Sequence, residues 1–150
     1  MTIIIETASM RHMDRLYEIE RECFKDEAFS RQQIANLLRE YNSISLVAIE
    51  NDNIVGFIIA EISAKRNALD GHVLTIDVSP QYQRRGIGLK LLQEIEKTFR
   101  EKGIKTCHLE VREDNVEALR LYEKTGYERI GRLKNYYGKA DGLYLGKRLS

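Results

Sequence analysis

The amino-acid sequence predicts an α/β (α+β) fold in which helices lie on both faces of a central mixed, mostly antiparallel sheet. Three β-rich runs follow one another at residues 44–50, 54–62 and 72–78, an order typical of an antiparallel meander. Elsewhere, short apolar runs alternate with segments in which apolar residues recur every three or four positions, as in amphipathic helices. The resulting order, β-α-α-β-β-β-α-β-α-β-β, contains about seven strands and about four helices.

The first third of the chain is predicted to form a short strand and two helices. Residues 3–6 form the strand, and the helix that follows presents one apolar face. The residues of that face are Met10, Met13, Leu16, Tyr17, Ile19 and Phe24. Residues 25–29 then form a loop, because Ser30 and Gln33 make a capping box that starts the second helix. The apolar stripe of this helix is Ile34, Leu37, Leu38 and Tyr41.

The middle of the chain is predicted to pass from the meander into a third helix. Residues 51–53 join the first two strands of the meander as a hairpin, and the polar residues 65–71 form the next turn. The helix starts after the glycines at Gly86 and Gly88, and Gly103 fits the position just after its end. Its apolar face is Ile87, Leu91, Leu92, Ile95 and Phe99.

The last third is predicted to contain a strand, a helix and two further strands. Residues 106–112 alternate in polarity, as a strand with two different faces does. One face is Cys107, Leu109 and Val111, and the other is His108, Glu110 and Arg112. Asp114 or Asn115 caps the fourth helix, and Gly126 ends it. The final two strands and the segment between them are residues 127–130, 143–148 and 134–138.

Composition and charge restrict the class of protein. A chain of 150 residues with 43% hydrophobic and 31% charged residues is expected to be one soluble domain spanning residues 1–150. The net charge of +1 disfavours nucleic acid as a partner, and no apolar run approaches the roughly 20 residues of a membrane span. Cys23 and Cys107 lack CxxC or histidine spacing, so we expect buried free thiols, no disulfide, no metal site and a cytoplasmic protein.

The stretch at residues 78–90 organises the rest of the sequence. Pro80 ends a strand, and the glycine-bearing turn at residues 83–88 leads straight into a helix. Such a turn points backbone N–H groups outward at the positive end of the helix dipole, which favours a phosphate group. Gly86 and Gly88 have no Cβ, so a ligand can approach the backbone closely. Taken alone, the pattern also fits an ordinary strand-to-helix turn.

Two motifs resemble those of the GNAT acetyltransferase superfamily. The turn Gln83-x-x-Gly86-x-Gly88 resembles its acyl-coenzyme-A signature. Residues 109–127 resemble the block L-E-V-R-x-x-N-x-x-A-x-x-L-Y-x-x-x-G-F/Y of the ribosomal-protein alanine N-acetyltransferases and the archaeal and eukaryotic N-terminal acetyltransferases, and match every fixed position. The resemblance covers essentially the whole chain. It implies the GNAT fold and acetyl transfer from acetyl-coenzyme A to the N-terminal α-amine of a protein or peptide, by direct attack on the thioester.

The resemblance assigns catalytic roles to two residues. In amine attack on a thioester, the amine loses a proton and the departing thiolate gains one. Glu110 corresponds to the general base, acting directly or through water, and Tyr122 to the general acid. Spacing alone favours a different explanation for each residue. Glu110 would form an ion pair with Arg112 or a lysine, and Tyr122 would pack on the sheet. His72 and His108 are alternative bases, and each is also explained as a partly exposed strand histidine.

The resemblance also implies how the coenzyme is held. Backbone N–H groups of the glycine turn contact its pyrophosphate. They belong to Arg84, Arg85, Gly86, Ile87, Gly88 and Leu89. The two arginine side chains either add positive charge there or are simply solvated. The strand end formed by Ile76, Asp77 and Val78 splays from its neighbour and offers backbone groups to the pantetheine arm, with the N–H of Val78 as the oxyanion donor. Asn115 lies near the coenzyme and also caps the last helix.

The acceptor side of the site is less specific. By resemblance, Phe29, Tyr136 and Tyr137 frame the peptide N-terminus. Relatives often have Pro-Trp-Ser where this chain has Ala-Phe-Ser at residues 28–30, and residues 139–142 stand in place of a Glu-Asp pair found in some of them. Both departures leave the substrate preference open.

The sequence leaves several partners and two other functions open. Asp26 and Glu27 either attract a positive substrate or form a solvated acidic loop. We expect a monomer or weak homodimer, with an auxiliary subunit or the ribosome as candidate partners. One alternative keeps the fold but acetylates a lysine side chain or a small amine such as a polyamine. Another is a coenzyme-A-binding scaffold without catalysis.

Overall fold

The computed structural model describes residues 2–149 and contains seven strands and four α-helices. The strands are β1 Ile4–Thr7, β2 Ser43–Glu50, β3 Asn53–Lys65, β4 Ala68–Val78, β5 Thr106–Arg112, β6 Glu128–Tyr137 and β7 Ala140–Arg148. The helices are α1 Met13–Phe24, α2 Arg31–Arg39, α3 Ile87–Glu101 and α4 Val116–Lys124. Three short 3₁₀ turns are Met10–His12, Lys25–Glu27 and Pro80–Tyr82.

The seven strands form one sheet in the order β1-β2-β3-β4-β5-β7-β6. The strands β2, β3 and β4 form the predicted antiparallel meander, and all neighbouring strands are antiparallel except β4 and β5. Helix α3 connects this parallel pair, because parallel neighbours need a crossover. The predicted fold class and the predicted numbers of strands and helices are confirmed.

Two apolar clusters hold helices on the two faces of the sheet. On one face, α1 and α2 pack Leu16, Ile19 and Ile34 against Phe57 and Ile59 of β3, all fully buried. On the other face, α3 and α4 cover a larger cluster, which includes the whole predicted apolar face of α3. Each such side chain contributes about 1.5–3 kcal/mol when it leaves water. None of the helices within residues 2–149 is long and apolar enough to cross a membrane.

Two segments that the sequence predicts as turns are mainly strand. β3 and β4 extend into the predicted polar turn at residues 65–71, and only residues 66–67 form the turn between them. β6 runs through the predicted connection at residues 134–138 as far as Tyr137, with a shift of register around Asn135, whose φ is 55°. Polar side chains are compatible with strand here because an antiparallel sheet tolerates solvent on one face.

Several single residues differ from the prediction in their exposure. Tyr41 is predicted on the apolar stripe of α2, but the helix ends before it and the side chain is 98% exposed. Met10 belongs to a 3₁₀ turn and is also exposed. His108 is buried rather than partly exposed. Both cysteines are free, and Cys107 is buried as predicted, whereas Cys23 is only half-buried.

The strands β4 and β5 separate in the middle of the sheet. Their parallel pairs end at Val73 and Leu109, although both strands continue beyond these residues. The register of β4 against β3 shifts by one residue at Leu74, which is a β-bulge. Because a bulge bends its strand, the ends of β4 and β5 lie apart. We name the resulting opening the wedge.

Candidate active site

Two adjoining clefts meet at the wedge. The larger one, the wedge cleft, measures about 740 Å³ and lies between the two wedge strands, the segment after α1 and the end of β6. The smaller one, the helix cleft, measures about 540 Å³ and lies between the end of β4, the start of α3 and α4. The residues that line both are Cys23, Phe24, Ile76, Asn115, Ala118 and Tyr122. A ligand that passes through the wedge can therefore contact both clefts.

The start of α3 forms a candidate anion site in the helix cleft. Gly86 is the N-cap with φ 81°, a conformation that glycine adopts without strain. The first backbone bond of the helix runs from the N–H of Lys90 to the carbonyl oxygen of Gly86, at 3.1 Å. The N–H groups between them thus have no acceptor inside the helix. They belong to Ile87, Gly88 and Leu89, which all line the cleft. With the helix dipole, these groups favour a phosphate.

The end of β4 turns backbone groups into the wedge. The N–H of Ser79 donates to the carbonyl oxygen of Val55 at 2.8 Å, which makes these residues a hydrogen-bonded pair of the β3–β4 ladder. Because such pairs alternate, the backbone of Asp77 points to β3, whereas the backbones of Ile76 and Val78 point away from it. In agreement, the Val78 carbonyl oxygen accepts from two side chains outside β3, Gln83 Nε2 at 3.0 Å and Cys23 Sγ at 3.3 Å. The wedge therefore has a polar backbone wall.

Glu110 lies on the wall of the wedge cleft and contacts His72. Its Oε1 atom is 2.7 Å from His72 Nε2, and its side chain is 16% exposed. Burial lowers the pKa of His72, but the hydrogen bond to Glu110 and the neighbouring carboxylates outweigh it, so that the pKa is raised. Arg112, the ionic partner that spacing favours, instead pairs with Glu27 and Asp114. The Glu110–His72 pair can take up a proton from a group in the cleft.

Tyr122 stands between the two clefts. It projects from α4, is 8% exposed and packs edge-on against Tyr127, with ring centroids 5.8 Å apart. Burial and the charge of Asp77 raise its pKa above the ordinary value of 10.0, so the phenol stays protonated at neutral pH. The ring is therefore packed, as one of the two explanations requires, and a protonated phenol is compatible with the other.

Cys23 is a second proton-bearing group between the clefts. Its Sγ donates to the Val78 carbonyl oxygen at 3.3 Å. Burial and the charge of Asp77 raise the pKa of the thiol to about 12. Because the thiolate is the nucleophilic form, Cys23 is a poor nucleophile at neutral pH.

The other predicted ligand-binding residues lie around these groups. Phe29, Tyr136 and Tyr137 line the wedge cleft, and the guanidinium of Arg112 lies over the Tyr137 ring at 5.9 Å. Asn115 caps α4, because its Oδ1 accepts from the N–H of Ala118 at 3.2 Å, and it also lines both clefts. Its two predicted roles are compatible.

Two of the predicted cofactor-binding residues, Asp77 and Arg85, line neither cleft. Asp77 is 1% exposed and points to the α1 face of the sheet. Arg85 lies 3.9 Å from Glu50 and over the ring of Tyr82, at 5.1 Å. Arg84 does line the helix cleft, where its guanidinium donates to the carboxylate of Glu117 in α4 at 2.7 Å.

Glu20 is a site residue that the sequence analysis misses. It is 2% exposed and lines the wedge cleft. Its Oε2 accepts from the N–H of Phe29 at 3.0 Å, and its Oε1 accepts from Thr75 Oγ1 at 3.3 Å. Burial and the charge of Glu20 raise the pKa of Asp77 well above its ordinary value. The signal in the sequence is a carboxylate directly after Ile19 on the apolar stripe of α1.

Known proteins resemble the chain in sequence and in fold. The acetyltransferase (GNAT) family matches residues 13–127. An N-alpha-acetyltransferase of Sulfurisphaera tokodaii is 31% identical over 150 residues, which cover 94% of this chain and 89% of that protein. The ribosomal protein bS18 alanine N-acetyltransferase of Haemophilus influenzae is 37% identical over 140 residues, with 93% and 90% covered. The crystal structure of Ard1 from Thermoplasma volcanium superimposes with a TM-score of 0.90 at 25% identity, covering 99% and 98% of the two chains. The predicted family and enzyme class are confirmed: the chain belongs to the GNAT acetyltransferase family.

Proposed function

We propose that the protein transfers the acetyl group of acetyl-coenzyme A to the N-terminal α-amine of proteins or peptides. One observation carries the proposal. Glu110 and Tyr122 line the same cleft, and this cleft continues through the wedge to the anion site at the start of α3. The names of two relatives, an N-alpha-acetyltransferase and a ribosomal-protein alanine N-acetyltransferase, support the same class of acceptor.

The helix cleft fits the coenzyme. When bound, acetyl-coenzyme A supplies a thioester that an amine can attack. The outward N–H groups at the start of α3 would hold the pyrophosphate, and the outward backbone groups of Ile76 and Val78 would bond to the amides of the pantetheine arm. The N–H of Val78 stabilises the thioester oxygen as negative charge develops on it. The start of α3 lies close to α4 and to the end of β4, since a Cβ on Gly88 would be in ordinary van der Waals contact with Leu121 at 3.7 Å and with Val78 at 3.8 Å.

The wedge cleft supplies the proton transfers. Glu110, supported by His72 at 2.7 Å, accepts the proton of the attacking amine. Tyr122 gives its proton to the departing sulfur. Phe29 and the two tyrosines of β6 surround the first residues of the peptide. A monomer or weak homodimer, an auxiliary subunit or the ribosome as partner, and a cytoplasmic location stay predictions.

Acetylation of matched peptides tests the proposal. One set carries a free α-amine, is varied at its first two residues and contains no lysine. A second set is blocked at its N-terminus and contains one lysine, and a polyamine is assayed alongside. Release of free thiol from acetyl-coenzyme A gives the rate. We expect turnover with the first set. Turnover with only the lysine peptides or the polyamine would replace the proposed acceptor, and no turnover with any amine would favour a coenzyme-binding scaffold.

A further inference from the structure

A compact group of potential metal ligands adjoins the wedge cleft. His72 and His108 face each other in the register of β4 and β5, and Glu110 follows on the same face of β5. The imidazole rings stack with centroids 4.2 Å apart and 17° between their planes. One ligand atom from each of the three residues lies within 4.8 Å of the others. Imidazole nitrogens and carboxylate oxygens are ordinary ligands of Zn²⁺.

Neighbouring carboxylates orient both imidazole rings. His108 Nδ1 contacts a carboxylate oxygen of Asp70, and His72 Nδ1 is 3.7 Å from Glu61 Oε1. In metal sites, a carboxylate on one ring nitrogen of a histidine fixes the ring and makes the other nitrogen a better ligand. A carboxylate lies beside Nδ1 of each ring, in contact for His108 and 3.7 Å away for His72, so the Nε2 atoms are the ones that we assign to a metal.

We propose that His72, His108 and Glu110 bind one Zn²⁺ ion. Three protein ligands leave a fourth position for water or a substrate group, and one of the three ligands, Glu110, lines the wedge cleft. Hard cations such as Mg²⁺ prefer oxygen ligands, so this set selects against them. The proposal departs from the sequence-based expectation of no metal site. The two histidines are far apart in the chain, and only the parallel pairing of β4 with β5 brings them together.

Side-chain movements are needed to close the site. Ligand atoms about 2.0–2.2 Å from a tetrahedral Zn²⁺ are about 3.4 Å from one another. His72 Nε2 and Glu110 Oε1, now 2.7 Å apart, have to separate by about 0.7 Å. No separation in the group exceeds 4.8 Å, so none has to shrink by more than about 1.4 Å. The rings also have to tilt out of their stack, because the lone pair of an imidazole nitrogen lies in the plane of its ring. Rotation of the histidine side chains on their strands provides these movements.

Filling this site inhibits acetyl transfer. This consequence rests on the proposed function, in which Glu110 and His72 accept the proton of the amine. A bound Zn²⁺ occupies the same oxygen and nitrogen atoms, and so the pair loses its capacity to take up a proton. The enzyme then becomes sensitive to free Zn²⁺.

Calorimetry on the purified chain, without coenzyme and at neutral pH, tests the metal site directly. We expect one Zn²⁺ per chain and no heat of binding with Mg²⁺. Glu110→Gln and His108→Gln should each lose at least about tenfold in affinity, and Asp70→Asn about 10–100-fold through the support of His108. Cys23→Ser is the matched control for a thiol ligand and should bind as the wild type does. Thermal unfolding in chelator checks that each variant is folded.

Each outcome decides between the site and the function. Absence of Zn²⁺ binding to the wild type, or unchanged affinity in both folded ligand variants, overturns the site. Loss of binding in Cys23→Ser overturns it as well, because the metal is then held by the thiol. Peptide acetylation is measured separately, in chelator and with added Zn²⁺. A chain that binds Zn²⁺ but is inactive in chelator contradicts the proposed function and leaves the site intact. An active chain that binds none contradicts only the site.

Discussion

Replacement of Glu110 by glutamine tests the proposed chemistry most directly. The amide has nearly the shape of the carboxylate and can still meet His72 Nε2, which is 2.7 Å away, so the fold should be retained. It cannot accept a proton at neutral pH. A positioned general base contributes about 10²–10⁴-fold to a rate, which corresponds to about 2.7–5.5 kcal/mol of activation free energy. We expect kcat to fall within this range. The KM for acetyl-coenzyme A should change less than about threefold, because Glu110 does not line the helix cleft.

Initial rates of thiol release, with saturating acetyl-coenzyme A and an N-terminal peptide in chelator, give kcat for this comparison. Glu61→Gln is the matched control, because it makes the same chemical change beside the same imidazole, 3.7 Å from Nδ1 and outside the wedge cleft. It should keep kcat within about threefold. Equal losses in the two variants would mean that His72 needs its charged neighbours and not that Glu110 accepts the proton. If the Glu110→Gln enzyme keeps more than a third of the wild-type kcat, Glu110 is not the general base.

Three further predictions address the acid, the anion site and the buried carboxylate. Tyr122→Phe keeps the packed ring, so coenzyme affinity by calorimetry should hold while kcat falls by about tenfold or more; an unchanged kcat would exclude the phenol as acid. Gly88→Asp places a negative charge at the phosphate site and should weaken coenzyme binding by about tenfold. Gly88→Ala is the control: its Cβ would lie 3.7 Å from the nearest neighbour, so this variant should fold and should bind the coenzyme more tightly than Gly88→Asp does. Asp77 has a raised pKa in the folded state, so the stability it contributes is complete below its ordinary value of 3.8 and is lost as the pH rises towards the folded value. The melting temperature of the wild type should therefore fall relative to that of Asp77→Asn as the pH rises above about 4, and parallel curves would contradict the burial argument.

Local sequence patterns predict the helices and strands well, because apolar residues recur about every 3.6 positions in a helix and every second position in a strand. The buried face of α3 and the capping box of Ser30 are such patterns, and both are present. Patterns fail where an element leaves the packed layers. The tips of β3 and β4 and the end of β6 have polar side chains, yet the backbone ladder continues there. Polarity reports burial and not pairing, which explains the turns predicted in those places.

The contacts that define the site depend on tertiary structure. Spacing pairs Glu110 with its strand neighbour Arg112, but the partner in space is His72, one strand away. Glu20 and Asp77 meet because α1 crosses the end of β4, and no motif contains both. In contrast, the glycine turn is local, and the structure has the helix start that its sequence predicts. Sequence alone therefore identifies the anion site more completely than the proton-transfer groups.

The wedge has a consequence for association between chains. A strand segment whose backbone groups are not paired with a neighbouring strand can pair with an extended polypeptide from another molecule. Such segments usually lie at the edge of a sheet, where proteins protect them against this pairing. Here the segment at Ile76 and Val78 lies in the middle of the sheet, with β5 alongside it and helices on both faces. A strand that joins a sheet lies about 4.8 Å from each neighbour and needs space for its side chains on both faces, and here packed helices already cover both faces. A slender chain without side chains needs less room. The position of the opening inside the sheet thus favours a small molecule over a strand from another chain.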